Sequence, residues 1–188
     1  MKIKYLKIAN DEALIKRVIL GEAHAERLLY EKYAGYILGV CRRFISNYHD
    51  AEDVALVVLQ KVFERLNQYK FEGDFQAWVR KISVNESLMH LRSKKNWLTE
   101  IPDDLQLPSL KPNAYDQLTA NDLLILLDQL PNGYKTVFNL YVIEGYKHRE
   151  IADLLGISIN TSKSQLILAR KKLSELIVKI SNTHGGEI

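Results

Sequence analysis

Cysteine is nearly missing: Cys41 is alone among 188 residues. A lone thiol cannot close an internal disulfide, and with no second Cys nearby it lacks the spacing of a metal site. A packed helical thiol is the expected role, with a redox sensor as the alternative that neighbouring Arg42 and Arg43 suggest. Long apolar runs are absent too. No stretch approaches the roughly 18 residues that span a bilayer, and Met1 to Asn10 alternates Lys with apolar residues instead of forming a signal core. A cytoplasmic chain without membrane insertion is expected. No glycine-rich phosphate loop, HExxH pair or serine nucleophile elbow occurs, which removes the usual support for nucleotide hydrolysis, zinc peptidase chemistry and acyl transfer. A metal reading survives only on His49 with Glu52 and Asp53, joined by His24 or His90, and it is weakened by the lack of a second His at i, i+4. No catalytic residue, metal or other cofactor is therefore expected.

Proline is scarce and clustered. Of four, Pro102, Pro108 and Pro112 fall between Ile101 and Asn113, beside Asp103, Asp104 and Ser109. A helix cannot run through such a stretch, so the sequence predicts a first domain over 1–95, a flexible acidic linker over 96–118 and a second domain over 119–188. Charge follows the same division. Residues 1–95 carry 17 Lys and Arg against 12 Asp and Glu, residues 96–122 carry 1 against 5, and residues 123–188 carry 8 against 6. Two mildly basic blocks around an acidic connector suit two nucleic-acid contacts on a tether, although excesses of this size occur on many soluble domains.

With 47% hydrophobic and 26% charged residues the chain has the balance of a folded globular protein. Apolar residues recur at helical spacing through Leu14, Val18 and Ile19, then through Leu28, Leu29, Tyr33, Tyr36, Ile37, Val40 and Phe44. Breaks fall at Gly21 and around Asn47 to Asp50. Asp50 is a natural N-cap for the most apolar helix, through Val54, Val58, Val62 and Leu66. After a break at Glu72 to Asp74 another helix is predicted from Phe75 to about Lys95, with Phe75, Trp78 and Ile82 on its core side. Downstream, helices are predicted over about 121–129, 132–144, 147–155 and 160–180. No segment alternates as a strand, so the fold class is all-α, in two small helical domains.

Residues 146–173, YKHREIADLLGISINTSKSQLILARKKL, have the grammar of a helix-turn-helix. Ile151, Ala152 and Leu155 form an apolar stripe, and Ala152 is small enough for a second helix to cross closely. Gly156 supplies a positive φ to end the first helix, Ile157 plugs the corner, and Ser158 or Asn160 caps the next one. That second helix presents Asn160, Thr161, Lys163, Ser164 and Gln165 near its start. Short polar side chains there suit base edges, and Lys163 suits a phosphate, while Arg170, Lys171 and Lys172 extend a basic edge. The plainer alternative is an αα-hairpin with a solvated face.

On these residues the chain resembles the extracytoplasmic-function (ECF) group of RNA polymerase sigma factors. LLDQLPNGYKTVFNLYVIEGYKHREIADLLGIS, residues 126–158, is similar to their region 4. DAEDV at 50–54, with KVFERLNQYKFEGDFQAWVRKISVNESLMHLRSKK at 61–95, is similar to region 2. The resemblance implies three partners: bacterial core RNA polymerase, promoter DNA (duplex at minus-35, single-stranded at minus-10) and an anti-sigma factor. It assigns Tyr69, Lys70, Phe71, Arg80, Lys81, Asn85, Arg92, Lys94 and Lys95 to minus-10 binding, and Asn160, Thr161, Lys163, Ser164, Gln165, Arg170 and Lys171 to minus-35 binding. Rings stack on exposed bases and cations hold the backbone, which is the chemistry that role needs. Asp50, Glu52, Asp53, Leu56 and Val57 are assigned to polymerase docking, although the three acids also make an ordinary helix start. Trp97 is either a linker anchor or an exposed ring.

The chain departs from the pattern twice. Leu56 and Val57 stand where the group usually has Gln-Glu, which predicts an exposed apolar patch. Ile167 and Leu168 stand where it commonly has a polar and a basic residue, which removes a phosphate contact. The rival reading is a stand-alone helix-turn-helix regulator, and it would require a sensor pocket or receiver site that residues 1–95 do not suggest.

Overall fold

The computed structural model describes residues 2–94 and 120–184. All regular structure among the described residues is helical, in agreement with the predicted class. They fall into two compact units, Met1–Lys94 and Lys95–Ile188. The predicted linker at 96–118, with Lys95 and Trp97, lies outside the described residues.

In the first unit, α1 (Lys2–Ile19), α2 (Ala23–Phe44), α3 (Tyr48–Glu64) and α4 (Phe75–Ser93) are joined by short turns, with a 3-10 turn at Leu66–Gln68. Helices α2, α3 and α4 pack against one another, and α1 lies on α2. The apolar spacing explains the arrangement: Leu29, Ile37, Phe44, Val58 and Leu88 all turn inward and are fully buried. Polar pairs fix the helices against each other. Buried Asp11 on α1 accepts from the Tyr33 hydroxyl at 2.7 Å and pairs with Lys32, while Lys61 on α3 meets Glu86 on α4 at 2.7 Å. Phe75 and Ile82 are buried as predicted, and Trp78 is half-buried over Phe75.

The helix start assigned to Asp50 lies earlier. Asn47 is the cap, and its side chain accepts from the Asp50 amide at 3.0 Å. Asp50 thus sits within the first turn, and its carboxylate is free to reach another helix. Asp74 caps α4 in the ordinary way, accepting from Gln76 N at 2.9 Å.

In the second unit α5 (Ala120–Asp128), α6 (Asn132–Phe138) and α7 (His148–Leu155) pack on α8 (Ile159–His184). The single helix predicted over 132–144 widens at Asn139–Ile143 into a π-helical turn, with Glu144 N donating to Asn139 O at 2.9 Å. Helix α8 runs on to His184, beyond the predicted end near 180. Lys135 is wholly buried and holds Asp128 at 2.7 Å, tying α6 to α5. A buried ammonium is tolerable only with such a partner.

Candidate nucleic-acid interface

The helix-turn-helix is built as its local chemistry requires. Gly156 ends α7 at φ 68°, and Ile151, Ala152 and Leu155 are buried against α8. Ser158 caps α8, its Oγ accepting from Thr161 N at 2.9 Å and lying 2.8 Å from the Thr161 hydroxyl. Asn160, Lys163, Lys171 and Lys172 are exposed, and Thr161, Ser164 and Arg170 are half-buried. Ile167 and Leu168 are also half-buried, so these departures face partly inward.

Gln165 does not join the polar start of α8. It is 1% exposed and packs on α6, where Gly133 leaves room for it: a Cβ at Gly133 would stand 2.5 Å from the Gln165 Oε1. The assignment of Gln165 to base contact is therefore corrected, because its side chain lies in the core of the folded unit. Helical spacing carried the signal, since Ser162, Gln165, Leu166 and Ala169 share the buried side of α8.

Beside this helix start His148 and Tyr141 gather with Arg170, one of the cations assigned to minus-35 binding. His148 Nδ1 is 2.9 Å from Ser162 Oγ, its ring stacks on Tyr141 at 4.5 Å, and the Arg170 guanidinium lies 6.0 Å over the Tyr141 ring. Burial, then Lys163 and Arg170, holds the His148 ring below its ordinary range.

In the first unit the loop between the 3-10 turn and α4 carries Tyr69, Lys70 and Phe71. Tyr69 is 8% exposed, its hydroxyl donates to Gly73 O at 3.0 Å, and its ring touches Phe71, Phe75 and Trp78 with centroids 5.1 to 5.5 Å apart. Its assignment as a stacking ring is corrected: it anchors the loop from beneath. Lys70 and Phe71 are exposed. Phe71 holds φ at 58°, a strained value for a side-chain-bearing residue, and Lys16 of α1 lies 5.4 Å from its ring.

Along α4, Lys81, Asn85 and Arg92 are exposed and Arg80 is half-buried. Met89, passed over in the sequence, is 56% exposed on the same side. Lys94 is exposed but paired with Asp50, which also lies 3.8 Å from His90 Nε2. Two residues assigned to different partners thus hold each other, and Lys94 keeps the Asp50 carboxyl below its usual range.

On α3, the spacing of Asp53, Leu56, Val57 and Gln60 gives one exposed stripe, with Leu56 59% and Val57 42% exposed. Glu52 is half-buried, 3.5 Å from His49. Among the described residues no group of three or more His, Cys, Asp or Glu is gathered as a metal site, and no helix is long and apolar enough to cross a membrane. Cys41 is fully buried, and burial pushes its thiol up to about 11.

Sequence profiles for Sigma-70 region 2 and for Sigma-70, region 4 match residues 29–96 and 121–173. The ECF RNA polymerase sigma factor SigE of Mycolicibacterium smegmatis is 29% identical over 160 residues, covering 82% of this chain and 62% of that protein. The RNA polymerase sigma-H factor of Pseudomonas aeruginosa is 25% identical over 183 residues, covering 89% of this chain and 94% of its own. The structure of CnrH in complex with the cytosolic domain of CnrY superimposes with a TM-score of 0.50 at 21% identity, over 90% of this chain and 97% of that one, a likeness of fold. With both regions matched in order over more than half of its length, and with relatives of this kind, the chain belongs to the extracytoplasmic-function group of RNA polymerase sigma factors.

Proposed function

We propose that this sigma factor works through three surfaces. The stripe of α3 that bears Asp53, Leu56 and Val57 docks on core RNA polymerase. Phe71 with Lys70, followed by Lys81, Asn85 and Arg92 on α4, takes the opened minus-10 strand, and the start of α8, with Asn160, Thr161, Lys163 and Ser164, enters the major groove at minus-35. The acidic segment at 96–118 threads polymerase where nascent RNA later passes. RNA synthesis itself belongs to polymerase, and an anti-sigma factor that covers α3 is the expected form of control.

The observation that carries this reading is the presence, in one chain and in family order, of two helical units that each keep an exposed polar and cationic helix face. Phosphate contacts position such a protein and base contacts specify its site, so a polar helix start that carries Lys163, with Lys171 further along the same helix, supports duplex reading. An exposed ring beside Lys70 supports capture of an unstacked base. The test is run-off transcription with purified bacterial core polymerase on a library of promoter fragments. Defined start sites that appear only when the protein is added are the expected result. Absence of transcripts, with no co-elution with core polymerase, would discard the reading in favour of a stand-alone regulator.

A further inference from the structure

Phe71 combines backbone strain with exposure. It keeps φ at 58°, a region that bulky side chains rarely adopt, so neighbouring groups must hold it there. Tyr69 supplies one support: its ring centroid lies 5.2 Å from that of Phe71, inclined at 61° rather than stacked flat, and its hydroxyl is fixed on Gly73 O. A second support is Lys16 of α1, whose ammonium stands 5.4 Å from the centroid of the Phe71 ring. Helix α1 is firmly placed at this point. Ile15 is fully buried, and the Tyr33 hydroxyl donates to buried Asp11 at 2.7 Å. Glu12, one helical turn back, holds the Lys16 ammonium at 2.6 Å. A small cavity, walled by Asp11, Glu12 and Ile15 on α1 and by Tyr69, Phe71 and Gly73 on the loop, lies between the two. Apolar packing therefore does not close helix on loop here, and the ammonium spans the gap.

We infer that Lys16 is a positioning residue for minus-10 recognition: its ammonium braces the Phe71 ring so that one face stays turned out for the unstacked base. The inference rests on the reading of Phe71 as the ring that takes that base. A cation within about 6 Å of a ring centroid is attracted by the electrons of the ring face. It occupies that face, and the opposite one remains for stacking, which every base can use. Glu12 offsets the charge of Lys16, so this side chain is better suited to hold the ring than to hold a phosphate, a task left to exposed Lys70. A ring held in place beforehand need not be ordered when the base arrives, and the gain appears as affinity. Helix α1, which the sequence left without a role in DNA binding, is thereby part of the capture site.

The experiment uses the full chain with core polymerase, and measures binding of a fluorescent oligonucleotide that carries the non-template minus-10 strand of a promoter from the run-off screen. Lys16→Met keeps an unbranched stem and removes the charge. It should weaken binding about threefold, in line with an exposed contact between cation and ring, and leave the urea midpoint of the free chain unchanged. Lys16→Arg should restore the affinity, since a guanidinium also lies on ring faces. In a Phe71→Ala background Lys16→Met should cost nothing more, because the group it braces is gone. Undiminished affinity of Lys16→Met overturns the brace. So does a loss that persists in full without the ring, which would make Lys16 a phosphate contact. Phe71→Ala alone separates this from failure of the underlying reading. If it weakens binding while Lys16→Met does not, Phe71 takes the base unbraced; if it changes nothing, both the reading of Phe71 and the brace fall.

Discussion

Gln165 and Cys41 show how burial overrides residue type. An amide near the start of a recognition helix is suited to bind adenine, yet Gln165 lies against Gly133, and neither of its amide atoms has a hydrogen-bond partner among the described residues. Replacing it with an unbranched apolar side chain removes two polar atoms from the core at little cost in volume. Gln165→Met should leave the urea midpoint equal or higher and promoter affinity within about twofold; a large loss of affinity with the fold intact would return Gln165 to the DNA. Cys41 has Arg42 and Arg43 beside it in sequence, but its thiol is buried and held near 11, so little thiolate forms at neutral pH. Ellman's reagent should label it only as fast as the protein unfolds, and prompt labelling of the native chain would revive a redox role.

At the scale of helices, termini decide both stability and placement. Asn47 caps α3 and thereby sets which side chains of DAEDV face outward. Asn47→Ala should lower the unfolding free energy by about 1 kcal/mol, measured by denaturant titration, whereas Asp50→Asn should cost less because the cap remains. The junction of α7 and α8 should respond to pH. The folded state holds the His148 ring below its ordinary value near 6.5, through burial and then Lys163 and Arg170. The unfolded chain therefore binds that proton more readily. The stability His148 lends is present above about pH 6.5 and is lost as pH falls through the depressed value. Urea midpoints followed on the full chain should drop over that window, and His148→Gln should flatten the drop; an unchanged profile in the variant would assign it to other groups.

For the molecule as a whole, a net charge of +3 is too small to drive association, and local cationic faces must do so. Each phosphate neutralised contributes about 0.9 to the slope of log affinity against log salt. Lys163→Ala on the full chain should reduce that slope by about this amount on duplex minus-35 DNA and weaken all sequences alike, whereas Asn160→Ala should relax preference with the slope unchanged. Equal slopes for wild type and Lys163→Ala would remove Lys163 from the backbone contact.

The sequence by itself determined the helical class, the helix-turn-helix and the family. Those signals are local: a glycine that must adopt φ near 68°, a serine two residues on to cap α8, and apolar spacing that gives each helix one buried side. The resemblance also foresaw the exposure of Leu56 and Val57, because they stand where the group usually has a polar Gln-Glu pair facing outward. What only the tertiary structure decided depends on groups far apart in the chain. Asp50 meets Lys94 from another helix, Tyr69 becomes an anchor because Phe75 and Trp78 close over it, and Gln165 is core because Gly133 on α6 makes room. Periodicity tells which side of a helix is buried, but the identity of what lies across from it is set by packing between helices, and that is where each of these side chains acquired its role.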